Sequence, residues 1–422
     1  EELRNLLEES YTDYFQLRYN TEPSTIEVLQ HEIKSNEVLL EFFVTDSTLY
    51  TFMILGDEKK LFKNKYDLSA DSAVNYLTTL QKTTRNRDLN QFKEHASSLF
   101  ELLLEKPLAN LPDGVDHIQI GPSNKLAIIP WEILLSNKNG SDYKSLSYLI
   151  KDYSISYRHF PFLKKNEKIR FQASVNKILA FAPTYKETEE VPALIELSEP
   201  FRNELRPLKW NIYEAESITN SFNGKALVRD QATEEIFKDE LSGYSILHLA
   251  MHAFVDHEES MNSKLVFTQK SNGTEDGILH TFELFNMEIP AELVVLSACN
   301  TGIGEVQEGE GVISLARGFA YAGVPSLVMS HWNVNDETTS KLMVSFYHYL
   351  SEGDRKDVAL RKAKLDFLKS ANKITSNPFY WGGFVVLGDT SPLNKKINYW
   401  LYVIIGIGLS GLLLIIVAVK KR

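Results

Sequence analysis

Two stretches decide the fold: "SILHLAMHA" at Ser245–Ala253 and "ELVVLSACN" at Glu292–Asn300. Each is a nearly continuous apolar run that ends in a polar or reactive residue. An apolar run without alternation reads as a strand buried on both faces, as in a parallel sheet covered by helices. In such sheets, sites gather at the carboxyl ends of the strands. His252 and Cys299 each stand where one of these strands runs out.

The same pattern extends outward. "KILAFAP" (Lys177–Pro183), "ALVRD" (Ala226–Asp230), "SLVMS" (Ser326–Ser330) and "GFVVLGD" (Gly383–Asp389) read as strands. Between them lie helical patterns at Glu214–Phe222, "ATEEIFKDEL" (Ala232–Leu241), "EGVISLARGFAYAG" ended by Gly323, "DETTSKLMVSFYHYLSEG" ended by Gly353, and a further helix through Leu368. Upstream, "EVLLEFFVTDSTLYTFMIL" (Glu37–Leu55) predicts a hairpin turning near Thr45–Ser47. Two amphipathic helices follow, marked by Val74, Leu77 and Leu80, then by Phe92, Ala96, Leu99 and Leu103. "HIQIGPSNKLAIIPWEILL" (His117–Leu135) predicts a strand, a turn at Gly121–Asn124 and a second strand running into a helix; "YSISYRHF" (Tyr153–Phe160) predicts another strand. The fold class is α/β, a mostly parallel sheet flanked by helices, with a boundary at the charged stretch Lys164–Phe171.

A thiol becomes a nucleophile when a nearby base or oriented N–H groups favour the thiolate. His252 precedes Cys299 by a spacing close to that of caspases. Adjacent parallel strands would bring both to one edge, with the backbone N–H groups of Cys299 and Ala253 placed to hold an oxyanion. A lone cysteine is also a common inert core residue. His248 and His252 give H-x-x-x-H, but Leu249 stands where a zinc protease needs Glu, and the context is a strand. No metal is expected, and His248 reads as a packed histidine. Asp256 and His257 fall in the loop after His252, lining a cleft or simply solvated. In "SHWNVND" (Ser330–Asp336), Trp332 is a candidate floor for a substrate pocket. Asp336 is either a selector of basic side chains or the cap of the helix beginning there.

Composition excludes other classes. Hydrophobic residues make up 43% and charged residues 24%, an ordinary globular balance. The net charge is −11, and five of the basic residues (Lys395, Lys396, Lys420, Lys421, Arg422) surround the last apolar run, so the body is more acidic still. Such a body repels phosphate backbones, and no nucleic acid partner is expected. "GIGEVQEGEG" is glycine-rich but carries Glu305, Glu308 and Glu310, which oppose phosphate binding, and no cofactor is expected. The single cysteine excludes an intramolecular disulfide.

Tyr399–Val419 is an uncharged apolar run flanked by aromatic residues and a basic tail. At about 1.5 Å per residue it reaches roughly 31 Å, and it predicts a single-pass membrane helix with the side of the body undetermined. The chain lacks a start methionine and opens in a helical pattern, "EELRNLLEESYTDYFQLRY", expected to be the end of an upstream helical region.

"HLAMHA" (His248–Ala253), "LSACNTGIGEVQEGEGVISLARGFAYAGVPSLVMSHWNVND" (Leu296–Asp336), "LMVSFYHYL" (Leu342–Leu350) and "PFYWGGFVVLGD" (Pro378–Asp389) resemble the CHAT protease family, caspase-like domains associated with tetratricopeptide repeats. The resemblance runs more weakly back to Ile26. It implies a pseudo-caspase half and a catalytic half preceded by helical repeats; with the charged boundary and the apolar run, the expected parts are residues 1–22 closing an upstream repeat region, 23–170 the pseudo-caspase half, 171–390 the catalytic half, and 391–422 a linker and membrane helix. It implies a cysteine endopeptidase with a dyad of His252 and Cys299, acting on protein substrates under control of the repeats. The family usually has Gly after the catalytic His, where this chain has Ala253. A catalytically idle, membrane-held scaffold is the alternative.

Overall fold

The structure, a computed structural model, describes residues 25–80, 88–158, 174–185, 205, 207–256, 259–270, 273–297, 314–332 and 335–393. Its strands are β1 (Glu37–Val44), β2 (Thr48–Ile54), β3 (Lys59–Lys65), β4 (His117–Gly121), β5 (Ser154–Tyr157), β6 (Ser174–Ala182), β7 (Lys225–Val228), β8 (Tyr244–Leu249), β9 (His252–Phe254), β10 (Lys264–Val266), β11 (Ile278–His280), β12 (Leu293–Leu296), β13 (Ser326–Ser330) and β14 (Phe384–Gly388). Eleven of them form one sheet in the order β3-β2-β1-β4-β5-β14-β13-β12-β8-β6-β7. Residues of β8, β12, β13 and β14 are buried almost throughout, as continuous apolar runs between two helical layers require.

Pairing is parallel from β1 through β4 and β5 to β14, and again through β13, β12, β8, β6 and β7. The antiparallel pairs are β1–β2, β2–β3 and β13–β14. The last strand among the described residues, β14, thus closes the sheet by sitting between β5 and β13. The expected boundary near Lys164–Phe171 lies outside the described residues, but the sheet runs on across β5 and β14 without a gap.

Charged side chains fasten this seam. The helix Lys356–Ser370 places Lys364 3.1 Å from Glu132, both buried. The Tyr157 hydroxyl donates to the same carboxylate. Arg355, just before that helix, reaches Glu37 on β1 at 2.8 Å and Asp357 at 3.1 Å, and His117 on β4 lies 3.2 Å from Glu37.

Two expectations are corrected, and one strand is unforeseen. "KLAIIPWEILL" forms no strand: it makes two 3-10 turns, Asn124–Ile128 and Trp131–Ile133. Pro130 has no N–H for a ladder, and the Trp131 N–H is held by the Tyr157 hydroxyl at 3.0 Å. "KKLFKNK" forms the edge strand β3, unexpected because lysines dominate it; that charge suits an edge exposed to other chains. The single-pass membrane anchor is withdrawn as well. Among the described residues no helix is long and apolar enough to cross a membrane, and Tyr399–Val419 lies outside them, so the membrane placement is without structural support.

Candidate functional site

Strands β8 and β12 are parallel neighbours, with Leu249 opposite Leu296. The edge expected from the two apolar runs is therefore present. The path of the chain beyond β8 differs from expectation. The ladder carries on for one residue, the Ala250 N–H donating to the Phe181 carbonyl at 2.9 Å. Then the chain leaves the main sheet, and His252 begins β9 in a separate three-stranded antiparallel sheet, β11-β10-β9. His248 and His252 consequently do not share a strand face. The side-chain amide of Asn211, first residue of the helix Asn211–Ser221, covers the break. It donates to the Pro183 carbonyl at 2.9 Å and to the Ala250 carbonyl at 3.3 Å.

His252 is only 8% exposed. Its backbone N–H donates to the Tyr185 hydroxyl at 2.9 Å, and that hydroxyl donates to the Val266 carbonyl at 2.8 Å. The Tyr185 ring lies 4.6 Å from the imidazole at 56°, and Phe254 stacks at 6.4 Å on the same side of the strand. Tyr185, Phe254 and Val266 form a small apolar cluster with Leu205 and Leu208, distinct from the main core. Ala253 points the other way, as strand alternation dictates, and its methyl group packs into the main core beside Leu265. Among the described residues the one non-glycine with positive φ is Arg229, so Ala253 keeps ordinary extended backbone.

Cys299, the other half of the expected dyad, lies outside the described residues with its neighbours 298–313, as does His257. Ser297, the last described residue before it, is buried.

The remaining candidates are engaged in holding the fold. Asp256 closes the turn after β9: its N–H donates to Ser263 Oγ at 3.0 Å, and its carboxylate accepts the Glu259 N–H at 2.8 Å. Trp332 is buried, with its indole N–H on the Phe379 carbonyl at 2.9 Å, so it presents no open pocket floor. Asp336 caps a helix, but not its own. Asn335 caps Asp336–Ser351 through the Thr338 N–H at 3.1 Å. Asp336 instead accepts the N–H groups of Lys209 and Trp210, at 2.7 and 2.9 Å, at the start of Asn211–Ser221. His248 is fully buried between Glu214 (2.8 Å from Nε2) and Tyr347 (3.2 Å from Nδ1), which occupies both ring nitrogens.

Glu234, Glu275 and Glu283 converge closely enough to hold a cation. Lys238 already fills that place, with Nζ at 2.7, 2.8 and 3.0 Å from the three carboxylates. Burial pushes the Glu234 carboxyl up to about 7, against the opposing pull of Lys238.

Residues 93–389 match the CHAT domain. The chain belongs to the CHAT family. A 118-residue segment is 29% identical to tetratricopeptide repeat protein 28 of Homo sapiens and 27% identical to that of Mus musculus. It covers 28% of this chain and 5% of those proteins, so the chain spans a small part of their length. Among solved structures, the Arg-specific cysteine proteinase gingipain R gives a TM-score of 0.42 at 10% identity, over 72% of this chain and 68% of its own. Separase from Saccharomyces cerevisiae, in complex with securin, gives 0.49 at 12% identity, over 90% of this chain and 33% of its own. At these values neither structure informs the chemistry of this CHAT chain.

Tyr185 and Asn211 escaped the sequence reading. Neither lies in a periodic pattern or a motif, and both act where a strand changes sheets, which no local signal marks.

Proposed function

We propose that this CHAT chain is a cysteine endopeptidase of caspase-like type, with Cys299 as nucleophile and His252 as general base. The observation that carries the reading is the β8–β12 register. Leu249 and Leu296 are partners, and the sequence reaches His252 and Cys299 three residues beyond each. In the proposed reaction His252 takes the thiol proton and the sulfur attacks the scissile carbonyl. The C–N bond breaks as His252 returns that proton to the leaving amine, and water then hydrolyses the thioester. Backbone N–H groups of Ala253 and Cys299 are the proposed oxyanion donors. In this reading residues 23–170 form the pseudo-caspase half and 171–390 the catalytic half, and an upstream repeat region engages the protein substrate or its regulator.

The burial of His252 favours a second reading, a catalytically idle scaffold for protein assembly, since a buried base offers little room for a substrate carbonyl. A survey of new protein N-termini in cells carrying the wild-type chain or Cys299→Ala separates the two. Termini present only with wild type support the peptidase; identical sets overturn it and favour the scaffold.

A further inference from the structure

The structure assigns Tyr185 a role in the proposed dyad: we infer that its hydroxyl and ring are the positioning device for His252. The inference rests on the peptidase reading and adds a residue to it.

Up to Ala250 the backbone of β8 and its continuation is held by strand neighbours, the last bond being Ala250 N–H to Phe181 O. A strand that breaks off inside a protein leaves buried N–H and C=O groups in need of partners. Here side chains supply them. Asn211 takes the Ala250 carbonyl and Tyr185 takes the His252 N–H. The Tyr185 hydroxyl therefore stands in for the carbonyl of a missing strand. It can do so because its own proton is committed to Val266 O, on the strand paired with β9 in the register Val266↔His252. One hydroxyl thus bridges two facing residues of the small sheet, and the backbone of His252 is one of them.

The ring adds a second constraint. It is 7% exposed, and its centroid is 4.6 Å from that of the imidazole, with Phe254 stacked beyond. Aromatic packing on this scale limits the rotamers open to the imidazole. Tyr185 is itself anchored at its base: the neighbouring Thr184 N–H donates to Thr268 Oγ1 at 3.1 Å, and Thr268 Oγ1 donates to the Arg229 carbonyl at 2.7 Å. Proton transfer between a thiol and an imidazole depends on geometry to within fractions of an ångström. A base held at both backbone and ring by one anchored residue meets that requirement. Tyr185 contacts His252 at its backbone and its ring, so the proposed effect passes through His252.

The test is the pH dependence of Cys299 alkylation by iodoacetamide in the full chain, compared among wild type, His252→Ala, Tyr185→Phe and Val266→Ala. The Phe variant keeps the ring and removes the bridge. The Val266 variant thins the same apolar cluster but leaves the carbonyl and the hydroxyl in place. Tyr185→Phe is expected to slow alkylation several-fold near pH 7 and to leave the rate near pH 10, where any thiol is ionised, unchanged. Val266→Ala is expected to lower the melting temperature without moving the profile. A Tyr185→Phe profile superimposed on wild type, while His252→Ala shifts it, overturns the positioning role and leaves the dyad standing. Equal shifts for Tyr185→Phe and Val266→Ala reduce Tyr185 to packing and also overturn it. A wild-type profile indifferent to His252→Ala overturns the dyad, and this inference with it.

Discussion

Leu249 and Leu296 face each other across the parallel pair β8–β12, each three residues in sequence before a residue proposed to react. The path on the histidine side is defined in detail. His252 opens a second sheet, its N–H held by Tyr185, while Ala253 turns its methyl group into the main core.

Ala253 follows His252 directly in β9, where the family resemblance predicts Gly. Because Ala253 is extended and its methyl group is buried, glycine's freedom at positive φ is not needed there. Ala253→Gly is expected to lower stability by roughly 0.5–1 kcal/mol through strand entropy and lost packing. It is expected to leave the alkylation rate of Cys299 unchanged. A large gain in reactivity would show that the methyl group obstructs the site.

The buried pair Glu132–Lys364 joins the two sides of the seam. Removing one charge strands the other away from water, which costs about 3–5 kcal/mol. Lys364→Met should therefore destabilise strongly in chemical denaturation. Adding Glu132→Gln, which removes the unpaired charge and keeps an acceptor for Tyr157, should recover part of the loss. Equal stability of single and double variants would contradict the account.

Burial raises the Glu37 carboxyl, but the hydrogen bond from His117 and the charges of His117 and Arg355 outweigh it and hold the group well below the usual carboxylate range. A depressed folded value means stability that is present above the ordinary carboxylate pKa and lost as pH falls below it. Thermal melting should thus fall steeply below about pH 4.5, and Glu37→Gln should flatten that part of the curve while lowering the plateau. An unchanged acid limb in the variant would remove Glu37 from the cause.

Asp336 satisfies two orphan N–H groups at the start of Asn211–Ser221. Asp336→Ala is expected to cost about 1 kcal/mol, typical of a lost helix cap. The residue preferred before the cleaved bond is expected to stay the same, as read from cleaved peptides. A changed preference would return Asp336 to the substrate pocket.

The runs Ile246–Leu249, Leu293–Leu296 and Leu327–Met329 announced a parallel sheet because strands buried on both faces carry no polar alternation. The hairpin β1–β2 and the helices ended by Gly323 and Gly353 were legible for similarly local reasons; both glycines adopt positive φ. β3 was not, since its lysines mask a two-residue period. Nor was the step from β8 to β9, because Ala250 and Met251 are as apolar as the strand before them. The partners that permit it, Asn211 and Tyr185, lie 39 and 67 residues away from theirs in sequence. For Asp336 the sequence offers a selector of basic side chains or a cap for the helix it begins, whereas its carboxylate serves a helix whose N-terminal Trp210 N–H lies 126 residues away in sequence.

The most direct measurement is covalent trapping of the full chain with a peptidyl acyloxymethyl ketone, with the adduct located by mass spectrometry. The account predicts one adduct, on Cys299, formed far faster than on a free thiol near neutral pH and slowed at least tenfold by His252→Ala. An adduct that forms at the free-thiol rate, or that forms equally well without His252, would contradict it.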